Sequence, residues 1–421
     1  MKRVAAMWGL GMALASSVQA FSVATDFEGA SCRVLKVDEA AQSVEVMPGG
    51  DPQRGWPCWW CFRLDGCTPG KPVTVLLHGS DAPMPRDDKH QPLAAFWAMP
   101  PRAFVSTEGV RWETSEPGKM EGAVMHYAFT PSAASVRVAW GPAFTPKDAK
   151  TLVHGLAEAH PSFAQVEELC RSLEGRPVPM LHLKEGSVAD EHRPVVWIEA
   201  RQHAWEAGSS WVGQGCMQWL AGDDPAAAWL RQHAEIFCIP IMDVDNTATG
   251  NGGKDALPQD HNRDWSATPH WNEVAAAQSH IRGFIQQQRM AVFLDLHNPG
   301  PTDSKAFFYV LPASQLQAPM VAARDRFVAL ATANIGKVYP MQTTPKFDGP
   351  GYHPLWHQMS GTWVSLNGNP ETVGICLETA WNTPEAGTEG YQNVGAALAA
   401  TVAEFLKTKG KGDSEAPALK R

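Results

Sequence analysis

A histidine and a carboxylate two residues apart can reach one metal ion from a single turn, and His203 and Glu206 in Arg201-Gln-His-Ala-Trp-Glu206 have that spacing. The spacing alone arises often by chance, so its weight depends on what else the chain supplies. Asp295-Leu-His297 closes the apolar run that starts at Met290. Two histidines and one glutamate are the ligand set of a catalytic zinc site, which keeps a fourth position for water. Read alone, His297 is an ordinary strand-end histidine; beside His203 and Glu206 it becomes a third ligand. Glu378 ends another apolar run, Val373-Gly-Ile-Cys-Leu-Glu378. A carboxylate there that faces the metal can take a proton from bound water and return it to a leaving amine, whereas an edge carboxylate simply reaches solvent. Asn262-Arg263, inside Asp260-His-Asn-Arg-Asp-Trp265, offers a guanidinium fork with an amide beside it, suited to a carboxylate. The plainer reading of that segment is a surface loop with an Arg–Asp pair.

These groups need a frame that brings them together. The strand expected over Val195–Ala200 runs into His203, and a helix is expected over Ser209–Leu220. Further strands are expected over Val178–Leu183, Ile236–Met242, Ala291–Leu296, Ala306–Leu311 and Val373–Glu378. Helices are expected over Pro225–His233, Trp271–Gln288, Ala318–Ile335 and Tyr391–Leu406. Thr145 is an N-cap with Pro146 in the first turn of a helix reaching about Ala159. The alternation predicts an α/β fold with a mixed, mostly parallel sheet flanked by helices over residues 145–407. Metal groups at the carboxyl ends of such strands are where α/β folds place their sites. From Phe21 to residue 144 the style differs. Short alternating runs such as Arg33-Val-Leu-Lys-Val, Val73–Leu77 and Ser135-Val-Arg-Val-Ala-Trp140 are separated by Gly, Pro, Asp and Ser, which predicts an antiparallel β-sandwich domain.

Composition narrows the setting. The 421 residues carry a net charge of -9 with no basic stripe, which argues against nucleic acid as a partner. Lys2 and Arg3, the apolar stretch Val4–Ala15 and Ser16-Ser-Val-Gln-Ala20 read as an export signal over residues 1–20. The run is too short for a comfortable membrane span, so an exported, periplasmic protein without stable membrane insertion is expected. Export permits disulfides, and among the 8 cysteines Cys32, Cys58, Cys61 and Cys67 suggest structural bridging in the first domain. Cys58-x-x-Cys61 lacks a partner motif for zinc. The charged, Gly/Pro-containing stretch over 408–421 reads as a disordered tail.

Taken in this order, His203/Glu206, Asn262-Arg263, His297 and Glu378 resemble the zinc metallocarboxypeptidase family, over about Thr145 to Leu406. Ser172-Leu-Glu-Gly-Arg176 looks like the run that precedes that family's first metal strand. The preceding β-domain, Ala139-Trp-Gly-Pro-Ala-Phe-Thr-Pro146 and Arg201-Gln-His-x-x-Glu206 followed by Ser209-Ser-Trp211 are similar to the branch containing cytosolic carboxypeptidases and their bacterial relatives. The resemblance implies Zn2+ held by His203, Glu206 and His297, with Glu378 as general base and then general acid. It implies that Asn262 and Arg263 grip a terminal carboxylate, and that Asp260 orients His203. The chain departs from the family at three places. The family's oxyanion-stabilising Arg is absent, and Lys254 in Gly250-Asn-Gly-Gly-Lys254 is the nearby cation that could replace it. Tyr352, with Trp356 nearby, is the candidate substrate-capping residue. Trp363 follows Gly361-Thr362, where the glutamate-preferring branch places a basic residue.

The expected function is therefore hydrolysis of the C-terminal peptide bond of a substrate with a free carboxylate, using zinc-bound water activated by Glu378. Two alternatives stand beside it: a cell-wall peptide amidase of the γ-glutamyl-diamino acid type using the same site, and a non-catalytic zinc-containing protein that binds peptide ends or glycans. Oligomeric state is left open.

Overall fold

The computed structural model describes residues 19–86 and 89–408. All but the last two residues of the expected export signal, and all but the first of the expected tail, lie outside the described residues.

Ten short strands come first: β1 (Ser22–Ala24), β2 (Arg33–Asp38), β3 (Ser43–Met47), β4 (Cys61–Asp65), β5 (Val73–Leu77), β6 (Phe104–Ser106), β7 (Glu113–Thr114), β8 (Lys119–Glu121), β9 (Val124–Phe129) and β10 (Ser135–Ala139). They form two five-stranded sheets, ordered β1-β4-β10-β6-β7 and β2-β3-β5-β9-β8. Pairing is antiparallel except between β3 and β5. Alternation does the work here, as expected of half-buried strands. In β5 the buried Val73, Val75 and Leu77 alternate with Thr74 and Leu76, and Trp60 next to β4 meets Tyr127 of β9 across the shared core at 5.8 Å. No disulfide forms: all eight cysteines are free thiols. The bridging expected in the first domain is therefore absent. Cys58, Cys61 and Cys67 are instead small apolar residues of the packed interior, and burial pushes the Cys61 thiol up to about 12.

The helix-bearing part opens with α1 (Pro146–Ala159), capped by Thr145 and Asp148 in a reciprocal capping box. It continues through β11 (Ala164–Arg171), β12 (Pro177–Leu183), β13 (Val195–Ala200), α2 (Ala207–Ala221), α3 (Pro225–His233), β14 (Glu235–Ile239), α4 (Val244–Thr249), α5 (Asn272–Gln286), β15 (Met290–His297), β16 (Phe307–Val310), α6 (Ala318–Ile335), β17 (Lys346–Phe347), α7 (Ser360–Asn367), β18 (Val373–Glu378) and α8 (Thr388–Thr408). One eight-stranded sheet results, ordered β11-β12-β14-β13-β15-β18-β16-β17. The middle four strands, β14-β13-β15-β18, are parallel, with antiparallel pairs toward both edges. The parallel strands are buried on both faces, which explains why they read as continuous apolar runs. Edge strand β11, Ala-Gln-Val-Glu-Glu-Leu-Cys-Arg, is half-exposed and polar, so it carries no such run and escaped the sequence reading.

The two regions meet on tryptophan. Trp205, one residue before Glu206, takes Trp140 edge-on at 5.0 Å and Trp97 at 6.2 Å. Trp381, just past β18, packs on Trp140 at 4.6 Å. A second seam is built from backbone. Gly253 N donates to Arg54 O (2.9 Å), Trp56 N to Lys254 O (2.8 Å) and Leu257 N to Gln53 O (2.8 Å). Gly55 is required at this ladder: its φ is +109°, and a Cβ would lie 2.4 Å from Gly253 N.

Candidate metal centre

Register decides which groups meet at the carboxyl ends of the parallel strands. His297 of β15 is paired with Glu378 of β18, and two residues earlier Asp295 is paired with Cys376. The period of two puts all four side chains on one face. His203 and Glu206 reach the same place because the chain turns sharply after β13. Arg201 makes that turn at φ 67°, a left-handed conformation that costs a non-glycine residue about 1 kcal/mol or more. It is held there by its own buried guanidinium, whose Nε donates to Ala204 O at 2.6 Å and whose Nη1 donates to Phe144 O and Ser210 Oγ, each at 3.3 Å. Glu206 then stands at the start of α2.

The cluster is buried and close. Glu206 Oε1 lies 2.9 Å from His203 Nδ1, and Oε2 lies 2.7 Å from His297 Nδ1. All three residues are buried, and their donor atoms lie within 4.8 Å of one another. The outward nitrogens also face carboxylates. His297 Nε2 lies 2.8 Å from Asp295 Oδ2, and His203 Nε2 lies 3.5 Å from Asp260 Oδ1, an ion-pair distance rather than a hydrogen bond. A neutral imidazole has one N–H and so satisfies one of two flanking carboxylates. The donor set therefore fits a cation between the two Nδ1 atoms and Glu206, with each ring proton on Nε2 and turned to its outer acceptor. Without one, the demand falls on protons. Against the opposing effect of burial, Asp295 and Glu206 raise the His297 imidazole well above its ordinary value. Burial alone would raise the Glu206 carboxyl, but His203 and His297 more than reverse this and hold it low.

Asp295 is fixed in turn by Gln202 Nε2 at 2.6 Å and by a short bond from Ser360 Oγ. Asn298 ties three segments together: its backbone N donates to Glu206 Oε2 (3.3 Å), its Oδ1 accepts from Ser209 N (2.7 Å) and its Nδ2 donates to Thr379 O (2.6 Å). Sequence reasoning missed Gln202, Asn298 and Ser360 as supports. Gln202 and Asn298 had a signal, since each adjoins an expected ligand. Ser360 had none, because it comes from α7, a helix the sequence reading did not anticipate.

The other expected residues divide. Glu378 stands beside the cluster with Oε2 buried and unpartnered, and burial, then the charge of Glu206, push its carboxyl up to about 8. That is a raised carboxyl with one oxygen buried, on a side chain that is itself partly exposed. Asp260 adjoins His203; burial opposes its charge, but His203, Arg263 and Lys254 overcome that and lower its carboxyl. Lys254 lies over the Trp56 ring at 5.3 Å, and its charge lowers both Asp260 and Glu378. Arg263 Nη1 donates to Asn262 O at 2.7 Å, while its Nε is buried without a partner among the described residues. Asn262 Oδ1 accepts from Ser360 N at 2.9 Å, while its Nδ2 lies 3.1 Å from His297 Nε2 and, with the ring proton there, keeps its donors for another acceptor. Tyr352 is exposed, and its ring meets Tyr309 at 5.2 Å, tilted by 59°. Trp363 does not join the group. Its ring packs against Trp265 at 5.5 Å beneath the Arg282 guanidinium, and its α7 neighbour Thr362 is the residue that turns to Asp348.

Residues 150–289 match the sequence model of the zinc carboxypeptidase family. The chain carries a zinc carboxypeptidase domain. The matched segment of this carboxypeptidase domain includes His203, Glu206, Asn262 and Arg263 and ends before His297 and Glu378, which join the site through strand register. Cytosolic carboxypeptidase 1 of Danio rerio is 32% identical over 144 residues, covering 31% of this chain and 12% of that protein. The chain thus matches only a small part of that relative's length. A metallo-carboxypeptidase structure from Burkholderia cenocepacia shares the fold with a TM-score of 0.76 at 20% identity, covering 93% of this chain and 100% of that one. So does a Pseudomonas aeruginosa metallo-carboxypeptidase in complex with (2-guanidinoethylmercapto)succinic acid, with a TM-score of 0.73 at 18% identity, covering 92% and 99%. Both structural likenesses extend over the β-sandwich as well as the carboxypeptidase domain.

Proposed function

We propose that this protein is a zinc-dependent exopeptidase that releases the C-terminal residue of a peptide. The observation that carries the reading is the buried His203/Glu206/His297 donor set with the raised carboxyl of Glu378 beside it. A bound Zn2+ supplies a Lewis acid for the scissile carbonyl and acidifies a water to a pKa of about 7. The chain's own groups do the rest. Glu378 takes a proton from water at its buried Oε2 and returns it to the departing amine. Arg263, with an unpartnered Nε, pairs with the substrate's terminal carboxylate. Lys254, whose charge acts on Glu378 and Asp260, is assigned to the developing oxyanion, as a point charge rather than a fork. Asp295 and Asp260 keep the imidazole rings in register, and Asn262 is assigned to substrate contact. Export to the periplasm, resting on residues 1–20, is part of the proposal; a mature N-terminus at Phe21 in protein recovered from cells is the expected mass-spectrometric result.

The test is hydrolysis of a peptide panel by metal-loaded protein, with a chelator arm. Single C-terminal residues should appear in order from the end, the rate should vanish on metal removal, and amidating the peptide's carboxyl should abolish cleavage. Internal cleavage, or equal rates on amidated peptides, would overturn the reading.

A further inference from the structure

One buried histidine next to the carboxylate grip has no assigned task. His261 is 1% exposed, and neither ring nitrogen has a hydrogen-bond partner among the described residues. Each faces a carboxylate at ion-pair distance instead. Nδ1 lies 3.7 Å from Asp243 Oδ2, and Nε2 lies 3.7 Å from Glu273 Oε2. Both acids are buried too. Two acceptors on opposite sides of one ring call for two N–H groups, which only the imidazolium has. Burial opposes that charge, but Asp243 and then Glu273 overcome it and push the imidazole up to about 9, with Asp264 adding to the effect. Trp271 lies flat on the ring, 4.7 Å away and 9° from parallel, as suits a cation over an aromatic face.

The three groups come from three elements. Asp243 caps α4, Glu273 stands in the first turn of α5, and His261 opens the short 3-10 turn His261–Arg263. Further out, Asp243 acts on Arg201, Cys170 of β11 feels the charge of Glu273, and Asp264 accepts from the backbone N of His270 and Trp271. The turn has little backbone support of its own: Arg263 N donates to Asp260 O at 3.1 Å and Asp264 N to His261 O at 3.2 Å. Asn262 fastens it to α7 through Ser360, and His261 fastens it to α4 and α5. A buried ionic group of this kind adds little net stability, and its best use is to hold one arrangement. The arrangement held here is the one that presents Asn262 and Arg263.

We propose that His261 is a positioning residue: as an imidazolium clamped between Asp243 and Glu273, it sets the turn that offers Asn262 and Arg263 to a substrate's terminal carboxylate, so that affinity for a free carboxyl end follows its charge. This deepens the exopeptidase reading and rests on it. When the ring loses its proton, one of the two buried carboxylates loses its partner, and the turn is released from α4 or α5. The zinc donor set is held elsewhere, by Asp295, Gln202 and Asn298, and stays in place.

The experiment follows KM and kcat of the zinc-loaded protein against pH, on a peptide with a free carboxyl end, beside the carbon-13 histidine resonances of the same protein. The His261 resonance, identified by its absence in His261→Gln, should titrate near pH 9. KM should rise roughly tenfold through that range, the scale of one lost charge-assisted hydrogen bond. His261→Gln should show the raised KM already at about pH 7, with no further rise, full zinc content and kcat within about threefold. Glu273→Gln, which removes one flanking charge and keeps the imidazole, should move the resonance and the rise in KM together to lower pH, and it carries the test if His261→Gln does not fold. A KM that stays flat while the resonance titrates, a resonance that titrates in the ordinary histidine range, or a loss in His261→Gln that falls on kcat or zinc content overturns the proposal and leaves the exopeptidase reading intact. Calorimetric binding of the peptide against its C-terminal amide separates the two. If neither is cleaved but the free acid binds more tightly and loses that advantage through the same pH range, the clamp stands and the reaction assigned to it falls. Equal binding of acid and amide sinks the clamp itself.

Discussion

The two sides of the candidate centre are held in different ways. On the strand side, His203, Glu206 and His297 are fixed by Asp295 of β15, Ser360 of α7, and Gln202 and Asn298 in the turns that follow β13 and β15. On the loop side, Lys254 sits in a glycine-rich turn held by backbone bonds from residues 53–56 of the sandwich region and by the Trp56 ring. The first side is a local product of register. The second exists only because a distant part of the chain closes against it. The difference teaches that the donor cluster leans mainly on the sheet's own side chains and touches the sandwich region through Arg201 and Trp205, whereas Lys254 depends on the sandwich region for its backbone.

That separation can be broken from either end. The largest effect is expected from His297→Ala, which should abolish both stoichiometric zinc, measured by atomic emission, and hydrolysis. Asp295→Asn should keep the ligands but weaken zinc binding by about 10- to 100-fold, the usual consequence of losing an outer acceptor. Glu378→Gln should retain full zinc content and lower kcat by about a thousandfold with little change in KM, as loss of a general base does. Trp56→Ala probes the other side. A cation–π contact of about 1 kcal/mol corresponds to a roughly fivefold loss in kcat, with zinc content unchanged and Trp56→Phe largely restoring the rate. An unaltered kcat in Trp56→Ala would mean that the backbone ladder alone positions Lys254.

The smallest effect concerns pH in the metal-free protein. Burial, then Glu206, raise Glu378 from 4.5 to about 8 in the folded state. The folded chain therefore keeps a proton that the unfolded chain releases above about pH 4.5. This group's contribution makes stability fall as pH rises from there through about 8, and Glu378→Gln should flatten that part of the profile in urea melts.

Legibility followed the same division. Apolar runs ending in Asp-x-His or Glu marked β15 and β18 with their site residues, because a strand buried on both faces leaves a continuous signature in the sequence. Helix α3, with Asp224 as cap and Pro225 next, was readable from its ends. Polar edge strand β11 was not, nor was the eight-residue α7, whose Gly, Thr and Ser obscure a helical pattern. Trp363 was taken from its place after Gly361-Thr362 in the family resemblance, and within α7 its ring turns to Trp265 while Thr362 faces Asp348. Cysteine spacing misled for a related reason: an even count permits bridges, while each thiol's surroundings decide whether they form.

The Gly55–Gly253 contact bears on how the cleft breathes. A lip stitched by backbone to another layer of the molecule has little freedom to swing. The opposite lip, around Tyr352, makes its turns within itself, from Tyr352 N to Gly349 O and from Trp356 N to His353 O. Traffic of peptide and released amino acid should then pass over the Tyr352 side. If release limits turnover, residues 349–356 set the pace while the glycine seam serves as the fixed jamb of the door.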